Sequence, residues 1–94
     1  MLTIKDCIAL SDLTEAEIDA IAEHEHLPEM VAVEMGHCLA HCAGGPDRIA
    51  HIIADDIAEA CAHGRTAHAV ELMHTLREFV DTHPQGHSEE HREG

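Results

Sequence analysis

Apolar positions recur every three to four residues in successive stretches of this chain. None shows the alternation of a half-buried strand. In the first stretch Leu2, Ile4, Cys7, Ile8 and Leu10 form an apolar side, and Thr3 with Asp6 has the spacing of a capping box. Ser11-Asp12 ends this short helix. Thr14 with Glu17 repeats the capping spacing and predicts a second helix from Glu15 to about Glu25, with Ile18, Ile21 and Ala22 as its stripe. Glu25 falls at the angle of that stripe, at a helix end where a long side chain reaches water.

Leu27-Pro28 breaks the pattern. Proline is favoured in a first helical turn and Glu29 suits the positive end of the helix dipole, which predicts a third helix from Pro28 to about Cys42. Its expected core arc is Val31, Met35, Cys38, Leu39 and Cys42. Gly36 costs up to about 1 kcal/mol relative to alanine and suits a close helix contact. Ala43-Gly44-Gly45-Pro46 is the clearest turn, and a fourth helix follows from Pro46 to about Ala62. Ile49, Ile53, Ile57 and Ala60 form its stripe, with Ile52 on the flank. Asp56 points between Ile49 and Ile52, while Asp55 and Glu59 point away. Gly64 then ends the helix, Thr66 is the expected cap of a fifth, and Ala69, Leu72, Met73, Leu76, Phe79 and Val80 mark its buried side to about Thr82. His83-Pro84 closes it. The expected fold is all-α: a compact bundle of four main helices plus a short N-terminal helix over residues 1–84, consecutive helices antiparallel, and a disordered polar tail over residues 85–94.

Composition adds two constraints. Phe79 is the only aromatic residue among 94, so aliphatic side chains must build a small core. Burial between chains is expected to supplement it, as a homo-oligomer, most simply a dimer. The formal net charge is −14, which disfavours nucleic acid and anionic membrane surfaces and suits metal ions or cationic partners. No apolar run approaches the ~20 residues of a membrane span, and the N-terminus lacks the pattern of a signal peptide. A cytoplasmic protein is expected, with its cysteines as thiols. Their spacings lack the paired C-x-x-C of a structural zinc knuckle.

The densest chemistry is Glu34-Met-Gly-His-Cys-Leu-Ala-His-Cys42. Helical spacing puts Glu34, His37 and His41 on one stripe and Cys38 and Cys42 on a second, toward the core. Two imidazoles at i and i+4 with a glutamate before them form a three-ligand face for a transition metal such as Zn, Ni or Fe. Such a triplet is also what a solvated face looks like in a chain rich in histidine and glutamate. Nucleophilic use of Cys38, with His41 as its partner, requires a lowered thiol pKa, which an acidic surface and a mid-helix position oppose. Cysteine as a small buried hydrophobe is the expectation at Cys7, Cys38, Cys42 and Cys61. No nucleophile elbow, phosphate loop or dinucleotide fingerprint is present, and nothing indicates an enzyme.

Acids on the second helix, Glu34-x-x-His37 on the third, acids on the fourth and Glu71-x-x-His74 on the fifth resemble the order in ferritin-like di-iron carboxylate proteins. The resemblance implies Glu34, His37, Glu71 and His74 as ligands, with Glu25 and Asp56 as the lone acids. The chain departs from it in orientation, because Glu71 and His74 lie opposite Leu72, Leu76 and Phe79. The segment Leu13–His37 is also similar to a family of small helical bacterial proteins, over most of residues 2–84. That likeness implies a bacterial cytosolic protein and transfers no activity or site residue. Two readings of function follow: a small helical protein that holds a transition metal through His and Glu, with Cys, and a helical interaction module without a specific ligand.

Overall fold

A computed structural model describes residues 3–83. Five helices occupy them: α1 Ile4–Leu10, α2 Glu15–Glu25, α3 Glu29–Ala40, α4 Gly45–Ala62 and α5 Thr66–Thr82. No strand occurs among the described residues, and no helix there is long and apolar enough to cross a membrane. The tail expected over residues 85–94 lies outside the described residues.

Local chemistry sets the helix ends. Both capping boxes form: the Thr3 hydroxyl accepts from the Asp6 N–H and the Thr14 hydroxyl from the Glu17 N–H, and each acid accepts in return from the cap's own N–H. Pro28 is the N-cap of α3 and lies just outside the helix. The end of α4 is a Schellman motif. Arg65 N–H donates to the Ala60 carbonyl at 2.8 Å and Gly64 N–H to Cys61 at 3.1 Å, with Gly64 at φ +72°. Thr66 is not the cap of α5. It is the first helical residue, after Arg65, which makes no side-chain capping bond.

The core lies where α4 packs on α5, α2 and α3, and α2 packs on α3 and α5; α1 rests on α3. Ile18 and Ile21 from α2, Ile49, Ile52 and Ile53 from α4, and Leu72 and Phe79 from α5 are buried, as their stripes predict. Met73 differs. It is exposed, and Thr75 is buried in its place, donating its hydroxyl to the Glu71 carbonyl at 3.0 Å.

The main departure is the rotation of α3. Its buried residues are Ala32, Val33 and Gly36, while Val31, Cys38 and Cys42 are exposed and Met35 and Leu39 only half-buried. Gly36 decides this. A β-carbon there would stand 2.6 Å from Leu13 Cδ1 and 3.0 Å from Ile21 Cδ1, so the missing side chain lets α3 close onto α2 along its smallest residues. Cys61 is also exposed and Cys7 half-buried, so the expectation of buried thiols fails at three of the four positions.

Candidate functional site

Rotating α3 displaces the stripe that the sequence put forward. Glu34, His37 and His41 all lie on the outer surface, as do Cys38 and Cys42. The His37 and His41 rings meet edge to face with centroids 4.6 Å apart. His41 Nε2 lies 3.3 Å from Asp12 Oδ2, and Glu34 and His37 flank a small groove with Cys7, Leu10, Ser11 and Val33. Glu71 and His74 are exposed on α5, as their positions opposite Leu72 and Phe79 imply. The four di-iron ligands implied by the ferritin-like resemblance therefore point outward from two different helices.

The lone acid Asp56 is buried, 3% exposed, in the middle of α4, and its Oδ2 has no hydrogen-bond partner. A desolvated carboxylate without a partner is costly, so its surroundings matter. They bring together three helices. Glu23 and His24 come from α2, Asp55 and Asp56 from α4, and His68 from α5. Glu23, His24, His26, Asp55, Asp56, Glu59 and Arg65 line one groove.

His24 and His68 are each gripped by two carboxylates. His24 Nδ1 lies 2.8 Å from Glu25 and its Nε2 3.1 Å from Asp55. His68 Nε2 lies 2.8 Å from Glu23 and its Nδ1 3.5 Å from Glu71. Among the described residues, histidine is the cation in every ion pair. Burial raises the Asp56 carboxyl to about 7; the charge of Glu23 adds to the rise, and His24 and His68 oppose it. At His24 burial acts to lower the pKa, but the bonds to Glu25 and Asp55 outweigh it and the net shift is upward. His68 is raised, first by its bond to Glu23.

Glu17 is the other buried carboxylate with an unpartnered oxygen. Its second oxygen, however, accepts from Thr14 N–H at 2.9 Å, so the capping box already accounts for its position. Burial, the largest influence, raises its pKa. Asp56 has no such structural duty.

Among the described residues, no three His, Cys, Asp or Glu side chains already stand at metal-ligand spacing around one point. In the Asp56 groove His24 is paired with Glu25 and Asp55, and Glu23 with His68, while Asp56 Oδ2 has no partner. Sequence reasoning identified Asp56 by its angle on α4 but missed Glu23, His24 and His68. His24 and Asp55 are 31 residues apart and Glu23 and His68 are 45 apart, and no local pattern joins them. Comparison with protein-family models, with curated proteins and with solved structures found no match.

Proposed function

We propose that the protein binds a divalent transition metal in the groove at the junction of α2, α4 and α5. The observation that carries this reading is the buried, unpartnered Oδ2 of Asp56 beside Glu23 and His24. Coordination supplies the missing partner and removes the repulsion between Asp56 and Glu23. Asp56, Glu23, Asp55 and His24 Nε2 are the donors. Glu25 on His24 Nδ1 and His68 on Glu23 orient them, which is the usual role of outer-shell partners. Three carboxylates and one imidazole suit Mn2+, Fe2+ or Zn2+.

Calorimetric titration of the full chain with Mn2+ tests the reading, because manganese favours the oxygen-rich groove over surface imidazoles. One ion per chain is expected. Asp56→Asn keeps the side-chain shape and should weaken binding by about a hundredfold. Unchanged affinity in Asp56→Asn, with the fold confirmed by circular dichroism, rejects the site.

A second reading, self-association, has its own support. Val70 is 45% exposed and Met73 49%, two large apolar side chains three residues apart on one face of α5. Sedimentation at micromolar concentration is expected to give a dimer, and a clean monomer at the highest soluble concentration removes this reading.

A further inference from the structure

Cys38 and Cys42 behave unlike structural cysteines. Free cysteine is among the most buried residue types, yet both are exposed, and their Sγ atoms lie 3.9 Å apart across one turn at the end of α3. That spacing suits shared coordination. With Zn–S bonds of about 2.3 Å, two sulfurs on a tetrahedral ion stand about 3.8 Å apart. Neither thiol needs to move far to hold one ion.

A third donor is close in sequence. His41 lies one turn after Cys38 and next to Cys42. Its Nε2 is directed to Asp12 Oδ2 at 3.3 Å, which leaves Nδ1 available. A carboxylate on one ring nitrogen with the other free is the arrangement that orients histidine ligands.

We propose that Cys38, Cys42 and His41 form a binding site for a thiophilic d10 cation of the zinc and cadmium class, separate from the carboxylate groove at Asp56. On binding, each thiol loses its proton to water and both sulfurs coordinate as thiolates, with His41 Nδ1 as third donor and solvent in the fourth position. Nothing is oxidised or reduced.

Rotation of α3 creates this pair. Had Val31, Met35 and Cys38 faced the core, the thiols would be unreachable. The small face at Ala32 and Gly36 turns them outward.

The test is cadmium titration of the full chain under a reductant, read by ultraviolet thiolate-to-metal charge transfer. The expected result is one cadmium per chain, with two protons released. Cys7→Ser/Cys61→Ser should retain the full band, and Cys38→Ser/Cys42→Ser should lose it. His41→Ala should keep the band but weaken binding about tenfold. Asp56→Asn should leave the band unchanged, so this site and the groove succeed or fail separately. Because both thiols are exposed, Cys38→Ser/Cys42→Ser should melt within roughly two degrees of the parent chain. A full band in Cys38→Ser/Cys42→Ser, or one cadmium shared by two chains, overturns the proposal.

Discussion

Gly45→Ala is expected to lower stability by about 3 kcal/mol or more, whereas Gly44→Ala costs only about 1 kcal/mol. The two glycines are adjacent but serve different ends. Gly44 has φ +77° with open space around its missing β-carbon, so alanine there bears only the penalty of a left-handed backbone. At Gly45 a β-carbon would overlap the Leu39 carbonyl oxygen and stand 2.5 Å from its carbonyl carbon. These are backbone atoms of the last turn of α3, and no rotamer relieves the overlap. The Gly45 N–H also donates to the Cys42 carbonyl at 2.9 Å, which ties the start of α4 to the end of α3. Making room means separating the helices and opening the packing around Ile49 and Ile52. For a domain of this size the loss corresponds to roughly 12–24 °C in Tm. Thermal melts of both variants check this, and a Gly45→Ala melt within a few degrees of the parent would show that the turn relaxes freely.

The same turn shows where sequence reasoning works. Ala43-Gly44-Gly45-Pro46 is legible because its instructions are local, as are both capping boxes and the Gly64 terminator. The stripe of α4 and, apart from Met73, that of α5 are legible because isoleucine, leucine and phenylalanine at helical spacing leave one choice of inner face. α3 offered two. Val31, Met35 and Leu39 carry more apolar area, but Ala32, Val33 and Gly36 permit a closer approach to Leu13, Ile18 and Ile21. Shape settled the orientation, and shape belongs to the partner helix, which a period on α3 cannot reveal. The rotation exposed the thiols and left Glu34, His37 and His41 on the outer surface, where Glu34 and His37 meet only Cys7 and Leu10 of the short α1. The site around Asp56 was half legible for the same reason. An acid on an apolar stripe announces itself, whereas Glu23 and His68 come into play only once α2 and α5 have packed against α4.

With metal removed by a chelator, the protein is expected to gain stability as pH falls from about 8 to about 5.5, and Asp56→Asn is expected to remove most of that gain. Asp56 titrates near 3.8 when unfolded and at about 7 when folded. Between those values the folded chain holds a proton that the unfolded chain has released, so stability falls as pH rises through this window. A displacement of this size could supply about 4 kcal/mol in full. The window covers only part of it and water reaches the groove mouth, so a change of about 1–2 kcal/mol is expected. Glu17, raised mainly by burial, acts in the same direction. His24 and His68 do as well: their folded values lie above the unfolded ones, so their contribution is complete below the unfolded pKa and is lost as pH rises through the folded one. Asp56, Glu17, His24 and His68 therefore push one way. The amide introduced by Asp56→Asn carries no charge, so that variant should be more stable than the parent at about pH 8 and nearly equal to it at about pH 5.5. A saturating metal ion should reverse the slope for the parent chain, because protons then compete with the cation for the same oxygens. Calorimetric melts across the window, with chelator and with Mn2+, separate these cases. A parent chain that loses stability steadily on acidification without metal would show that Asp56 is already satisfied in solution, and would remove the physical basis for a cation at this groove.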